Sequence, residues 1–476
     1  MNSFSSKIQF LDVLSLLDWV VFALVLIATF AAVIWGQMRK HREVPEDSEE
    51  LNFLDLLLMG RKLTLPMFVA TLVATWYGGI FGVTQIAFDY GIYNFITQGV
   101  FWYLAYILFA FYLVHKISPY QAVTLPDLVG KMFGPKSAKV AAIFNFFNVL
   151  PIAYVISLGL LLQSLFGWNH LIAMLVGVTL VIGYSLSGGF RAVVYSDIAQ
   201  FAVMVSSVFL VAILSMTTFG LGILKTNLPA SHFDPTGGHS LATTFVWGFI
   251  ALSTLVDPNF YQRCFAAKSE YTAKKGILIS TAIWFVFDIC TTMGGMYARA
   301  VIPEADSGQA YLIYGLQILP AGLRGFFLAG VLATILSTLD SYLFQAGTNL
   351  AYDLVPKKFK GKIGIHHLGI IFVGLLSVGV AYYFEGNIMR VWKTLGSYSA
   401  ACLLLPVMMG HVFPNKISDR VFVMACSFGV IGTTYWRNAE HGPFWSDVDE
   451  LYIGILCTAT VMIPQIFIKK DQKIAI

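Results

Sequence analysis

The chain has 476 residues, 57% of them apolar and 12% charged, with a formal net charge of +4. A soluble domain carries about 25% charged residues, so the composition excludes a soluble enzyme and indicates a polytopic membrane protein, for which domain counting by length does not apply. The basic residues are spread over short loops with no stripe interleaved with aromatics, which excludes nucleic acid as a partner and leaves the lipid bilayer as the first one implied.

Thirteen apolar segments follow in chain order, near residues 17–36, 65–91, 95–115, 138–166, 169–187, 191–218, 242–262, 276–300, 321–351, 364–384, 389–412, 419–436 and 450–468. The first is long enough to cross a bilayer. Arg39, Lys40 and Arg42 follow it with no small-residue cleavage pattern between, so it reads as a retained helix and not a signal peptide. The connections are mostly short, and none is long enough for a separate soluble domain. The expected fold is all-α, with about 13 transmembrane helices.

The second segment carries Gly78-Gly79 at its middle, inside Ala-Thr-Trp-Tyr-Gly-Gly-Ile-Phe-Gly (74–82). The seventh carries Asp257-Pro258-Asn259. Glycine weakens a helix and proline removes a backbone donor. In lipid, freed backbone groups survive only beside protein or a wet cavity. Each break opens a five-helix set, segments two to six and seven to eleven. Gly pairs and Pro kinks also serve plain packing, but breaks at matching positions of two halves point to a transporter's binding site.

The ninth segment holds Ala-Gly-Val-Leu-Ala-Thr-Ile-Leu-Ser-Thr-Leu-Asp-Ser (329–341). Ser337 and Thr338 are adjacent, Thr334 lies one turn before, and Asp340 and Ser341 follow within a turn. Such a cluster is costly in hydrocarbon unless it meets a partner, an ion or water. As a helix it offers hydroxyl and carbonyl oxygens at close range, which suits a small hard cation such as Na⁺. The alternative for Ser337 and Thr338 is back-bonding to the preceding turn.

Chemistry of other kinds finds no pattern. The five cysteines (Cys264, Cys290, Cys402, Cys426, Cys457) lack metal-type or redox-type spacing, and small core residues are the ordinary reading. The histidines have no ligand-like spacing. There are no paired catalytic carboxylates and no nucleophile motif, so no catalytic residue is assigned and the chain is not expected to be an enzyme.

Lys and Arg counts set the orientation. With the N-terminus outside, the cytoplasmic side receives 23 of the 30 basic residues, Arg61, Arg191 and Arg263 among them, and the outer side keeps seven: Lys7, Lys225, Arg299, Arg324, Arg390, Lys393 and Arg437. The C-terminus is then cytoplasmic, and the location expected is the cell (inner) membrane.

Three stretches carry a resemblance. Tyr184-Ser185-Leu186-Ser187-Gly188-Gly189-Phe190-Arg191-Ala192, followed by Tyr195-Ser196-Asp197 and Gln200, looks like a Gly-Gly loop ahead of a helix with an early Asp. Residues 329–341 look like an alanine-rich sodium helix, and Gly60-Arg61-Lys62-Leu63 leads into the first broken segment. Together they resemble the sodium/solute symporter family, from about residue 55 to 412. The resemblance implies a LeuT-type core of five-plus-five inverted helices with one extra helix before and two after. The division expected is 1–51 for the extra helix and its loop, 52–218 and 219–412 for the two repeats, and 413–476 for the last two helices and tail.

The resemblance also implies site residues. Na⁺ would take the backbone carbonyls of Ala74, Tyr77 and Thr334 and the hydroxyls of Ser337 and Thr338. Thr334 stands where the family usually has Ala, which a carbonyl ligand tolerates. Asp197 either caps the start of its helix or, as in some relatives, joins a second ion site, here with Asp340 and Ser341, that could take Na⁺ or a proton. The solute would sit between the breaks, against Thr75, Trp76, Gly78, Gln98 and Asp257, with Phe260 matching an inner aromatic gate. Asn145, Asn148, Trp284 and Asp288 are further candidates for the lining.

Asp257 is the sharpest clue to the solute. A carboxylate near mid-membrane is expensive unless paired. It would meet a solute ammonium, sit as a neutral acid against Asn259 or the freed backbone, or carry a coupling proton. Trp76 adds an aromatic face of the kind that holds alkylammonium groups, unless it simply packs. Ile80 and Phe81 stand where the sugar-carrying relatives have polar residues, which disfavours a sugar. The function expected is Na⁺-coupled import of a small organic solute, an amine or zwitterion, by alternating access. The alternatives are a symporter for a sugar or carboxylate and a sensor that keeps the transport fold.

Overall fold

The computed structural model describes residues 4–5, 10–43, 49–186, 189–442, 445 and 448–467. Lys7, Ser187, Gly188 and the C-terminal tail from 468 lie outside the described residues. The described residues are helical throughout, with a single isolated backbone bridge between Leu63 and Ala267.

Sixteen helices among the described residues frame the site. They are α1 (Leu16–Glu43), α2 (Leu65–Ala74), α3 (Ile80–Tyr90), α4 (Phe95–Tyr120), α5 (Pro135–Asn148), α6 (Ile152–Phe166), α7 (His170–Ser185) and α8 (Gly189–Phe219). After these come α9 (Leu241–Leu252), α10 (Pro258–Ala266), α11 (Glu270–Val301), α12 (Leu323–Leu354), α13 (Ile363–Tyr383), α14 (Ile388–Val412), α15 (Asp419–Asn438) and α16 (Glu450–Phe467).

Ten stretches among the described residues are long and apolar enough to cross a membrane, counting α5 with α6 and α9 with α10 as one each. The protein is therefore an integral membrane protein with multiple apolar spans. Length and apolarity alone do not reach thirteen: α2 and α7 are apolar but short, and α15 carries Asp419, Arg420 and Arg437.

Both breaks expected from the sequence are present, each with a local cause. Helix α2 starts after Thr64 with Pro66 in its first turn and stops at Ala74, and the chain resumes as α3 at Ile80, past Gly78-Gly79. Helix α9 ends at Leu252, and α10 starts at Pro258, where a missing N–H costs nothing. Asp257 caps α10, its Oδ1 accepting from the N–H groups of Asn259 (2.9 Å) and Phe260 (3.2 Å). A third break, at Val149–Pro151 between α5 and α6, interrupts a segment that reads as continuous helix in the sequence. Pro151 supplies no donor to the turn before it.

Helix α12 runs through the centre. In its most apolar window 89% of residues are buried, against 11% for α1, which faces lipid along most of its length. Gly330 lets α8 come close, since a Cβ there would lie 2.0 Å from the Ser207 hydroxyl. Small residues at such crossings are how membrane helices pack. Asp18 of α1 accepts from the N–H groups of Gly322 (2.7 Å) and Gly325 (3.0 Å), holding a carboxylate at the N-terminus of α12 where the helix dipole favours it. The segments bordering the two broken helices are tied to each other: Leu63 donates to the Ala266 carbonyl and Lys268 donates to the Leu63 carbonyl, both at 3.0 Å.

Candidate functional site

The two breaks face a common cavity of about 160 Å³. Trp76, Tyr77 and Gly79 come to it from the first break, and Ser253, Thr254 and Asp257 from the second. Gln98 of α4 and Asn148 of α5 also reach it, Asn148 donating to Ser399 at 3.0 Å. The Gln98 amide nitrogen is buried with no hydrogen-bond partner. Five aromatic side chains complete the wall: Trp102, Tyr154, Trp247, Tyr342 and Trp392. Asp257 is the single carboxylate among the lining residues. With one oxygen committed to capping α10, it presents a partly satisfied negative group to an aromatic chamber.

Beside the cavity, the end of α2 meets α12. Ser337 donates to the carbonyls of Ala74 (2.7 Å) and Thr334 (3.2 Å), and Thr338 to the same two at 3.3 and 3.1 Å. The Thr334 hydroxyl turns back to Gly330 (2.7 Å) and leaves its carbonyl to the cluster. Two hydroxyl and two carbonyl oxygens thus converge, all neutral and hard, and the Ala74 carbonyl ends a helix, where the dipole is negative. The donor set fits a small hard cation. Tyr77, the fifth expected ligand, places its ring 4.2 Å from that of Phe287. Gly78 seals the contact between break and helix: a Cβ there would lie 2.5 Å from Thr338 Cβ and 2.7 Å from Tyr154.

One turn further along α12 the polar groups are arranged differently from the expectation. Asp197 does not cap its helix, because α8 begins at Gly189 and Asp197 stands well inside it. Its Oδ2 accepts from Thr71 at 2.5 Å and lies 3.6 Å from the Arg263 guanidinium. Asp340 does not oppose Asp197 directly but accepts from the hydroxyl of Ser185 on α7. Ser341 shares a hydrogen bond of 3.0 Å with Thr75 and accepts from Arg263 at 3.0 Å. Arg263, expected among the cytoplasmic charges, is wholly buried.

Thr75 and Gly78, expected to line the solute cavity, do not. Thr75 points its hydroxyl toward Arg263 and Ser341, and Gly78 is covered by Thr338 and Tyr154. At the break the chain turns Trp76, Tyr77 and Gly79 to the cavity and Thr75 and Gly78 away from it. Phe260 lies behind the cavity wall, fully buried. Its ring stands 5.3 Å edge-on to Trp76 and stacks at 5.2 Å on Tyr106, with Phe109 at 5.3 Å. Trp284 belongs to the same stack, 4.6 Å from Tyr106. Asn145 is buried outside the cavity, and Asp288 accepts from the Tyr103 hydroxyl.

The aromatic wall has no counterpart among the expected site residues. Trp392 comes from the other end of the chain and packs so closely on Gly79 that a Cβ would lie 2.0 Å from its ring. Tyr154 and Tyr342 meet with rings 4.8 Å apart. The available signal was Pro151, which breaks the α5–α6 segment where Leu150, Ala153 and Tyr154 enter the wall.

Known proteins share this architecture. The sodium/pantothenate symporter of Haemophilus influenzae is 27% identical over 312 residues, 61% of this chain and 64% of the relative. The high-affinity proline transporter PutP of Bacillus subtilis is 24% identical over 354 residues, 68% of this chain and 72% of the relative. The match thus spans less than two thirds of the pantothenate symporter. The structure of a Na⁺-coupled sialic acid symporter, in a substrate-bound outward-open state, superposes with a TM-score of 0.78 at 15% identity, covering 97% of this chain and 100% of that one. That likeness establishes a common fold. Residues 56–420, which contain both broken helices and the hydroxyl-bearing α12, match the sodium:solute symporter family, and the chain belongs to that family.

Proposed function

We propose that this protein is a Na⁺-coupled carrier that imports a small organic solute bearing an amine, by alternating access. The observation that carries the reading is the cavity between the breaks, walled by aromatic rings around one carboxylate. Rings attract cations through their quadrupole, and Asp257 supplies the countercharge. A carboxylate solute would meet repulsion from Asp257, and a sugar, although Gln98, Asn148, Ser253, Thr254 and Ser399 offer it hydrogen bonds, would leave the charge of Asp257 uncompensated. The proline named for one relative is a zwitterion of this kind, whereas the pantothenate named for another is a carboxylate without an amine.

Na⁺ takes the carbonyls of Ala74, Tyr77 and Thr334 and the hydroxyls of Ser337 and Thr338. It bridges the end of α2 to α12 and steadies the first break, so that the cavity forms around Trp76 and Asp257. Each Na⁺ moving inward contributes about 2.3 kcal/mol per 100 mV of potential before any concentration term. Phe260, behind Trp76, is the inner gate: inward opening requires its stack with Tyr106 and Phe109 to part.

The arrangement proposed is thirteen spans, adding α2–α3, α7 and α15 to the ten long apolar stretches. The N-terminus is outside, the C-terminus is in the cytoplasm, and two five-helix inverted repeats cover 52–218 and 219–412. Uptake by the purified protein in proteoliposomes tests the function with a panel of labelled amines, amino acids, sugars and carboxylates, each with Na⁺ or with K⁺ inside and out. Na⁺-dependent accumulation of an amine or zwitterion is expected. Accumulation of a sugar or carboxylate alone overturns the solute class, and absence of labelled-solute exchange for the whole panel points to a sensor that retains the fold.

A further inference from the structure

A second cation position stands one turn from the Na⁺ ligands on α12. Its oxygens come from four elements: Thr71 and Thr75 of the first broken helix, Asp197 of α8, Ser341 of α12 and Asn259 of α10. All have an oxygen within 3.6 Å of one side chain, while the second carboxylate oxygen of Asp197, Oδ1, is buried with no hydrogen-bond partner. The Arg263 Nη2 donates to Thr71 (3.0 Å), to Ser341 (3.0 Å) and to Thr75, and lies 3.6 Å from Asp197 Oδ2. Nη1 approaches the backbone oxygen of Asn259 at 3.4 Å. The ring of Phe190 covers the guanidinium, 5.6 Å from its centre. Arg263 and Asp197 are both entirely buried.

We propose that Arg263 is the resident cation of this second position, held by its own covalent tether in place of a free ion, and that the carrier therefore binds one Na⁺ per chain. The proposal rests on the Na⁺ reading of the Ser337–Thr338 site. The physical reason is competition for a fixed set of oxygens. A guanidinium keeps its charge at any working pH and presents several donors in a rigid fork. Asp197, buried in a low-dielectric interior, requires a positive partner, and Arg263 supplies it permanently from α10. Ser341 and Thr75 then act as acceptors to the guanidinium, and an ion entering from solution would have to displace a cation that cannot leave. Asp340, the other carboxylate nearby, accepts from the Ser185 hydroxyl.

The arrangement also distinguishes two turns of one helix by residue chemistry alone. Ser337 and Thr338 face only neutral oxygens, so their cation is exchangeable. Ser341 faces a guanidinium.

The test is equilibrium binding of ²²Na⁺ to the purified full chain in detergent, with no solute added. Wild type is expected to bind one Na⁺ per chain along a simple hyperbola, and Ser337→Ala with Thr338→Ala removes it. Arg263→Gln, which vacates the second position and leaves Asp197 unpaired, is expected to bind two Na⁺ per chain. Combining it with Asp197→Asn returns the count to one. Arg263→Lys, which keeps a tethered cation, stays at one and serves if the Gln variant does not fold. Two Na⁺ per wild-type chain, one of them lost on Asp197→Asn, would overturn the assignment of Arg263 while leaving the Ser337–Thr338 site standing. No Na⁺ binding to wild type would overturn both.

Discussion

The polar groups around residues 334–338 and those around Ser341 lie one helical turn apart on α12 and face the same broken helix, yet they are built on opposite principles. The first is a meeting of neutral oxygens, Ser337 and Thr338 against the carbonyls of Ala74 and Thr334. The second is a buried charge pair, Arg263 against Asp197, with Thr71, Thr75 and Ser341 bonded to the guanidinium. A site of neutral dipoles can take up and release an ion without stranding a buried charge. A buried pair cannot lose one member without a large penalty. Under the proposed function, ion exchange belongs to the first cluster and constancy to the second.

The strongest way to break this comparison is to strip the neutral cluster. Ser337→Ala with Thr338→Ala removes two oxygen ligands, each worth about 1.5–3 kcal/mol to a charged partner. Na⁺-dependent uptake is expected to vanish while α12 keeps its helix, since Ala is the best helix former. Unchanged Na⁺ activation in the double variant refutes the site.

Asp257→Asn separates the cavity from both clusters. The Asn oxygen can still cap α10, but the charge facing the solute is gone. Affinity for an amine is expected to fall by about 2–4 kcal/mol, the range for removing a buried charge partner, while Na⁺ binding without solute holds. Normal transport at every pH would leave Asp257 as nothing more than the cap of the broken helix.

Gly78→Ala presses on the seam between the first break and α12. Its Cβ would stand 2.5 Å from Thr338 Cβ, and overpacking of this kind costs about 1–3 kcal/mol. Since the strain falls on a proposed Na⁺ ligand, weaker Na⁺ affinity is expected to exceed any loss of thermal stability. A variant that melts early but binds Na⁺ normally would show that the seam is structural only.

The smallest effect expected on binding is that of Phe260→Leu. It removes ring stacking worth about 0.5–1.5 kcal/mol per pair from behind Trp76, without entering the cavity. Solute affinity is retained and the transport rate changes. A collapse in affinity at constant turnover would make Phe260 a ligand and not a gate.

Much of the site was legible because its signals are local. Gly78-Gly79 and Asp257-Pro258 cannot continue a helix, and a run of hydroxyls in an apolar segment demands a partner. What failed depended on direction. Thr75 and Trp76 are neighbours in sequence, but the broken backbone turns Trp76 to the cavity and Thr75 to Arg263. Asp197 reads as the start of a helix that in fact starts at Gly189. Arg263 reads as a loop charge because its partners are remote along the chain, Ser341 by 78 residues and Thr71 by 192.

Composition and apolar patterning by themselves determined that this is a helical membrane protein, that two helices break at Gly78-Gly79 and at Pro258, and that α12 carries the cation-type oxygens. Those conclusions need only the cost of unsatisfied backbone and hydroxyl groups in hydrocarbon, which acts residue by residue. Only the tertiary structure decided which groups share a space: that five aromatic side chains from helices far apart in sequence wall the Asp257 cavity, and that a guanidinium fills the pocket one turn below the Ser337–Thr338 oxygens. Those are facts of helix rotation and packing, set by contacts between distant segments that no local pattern records.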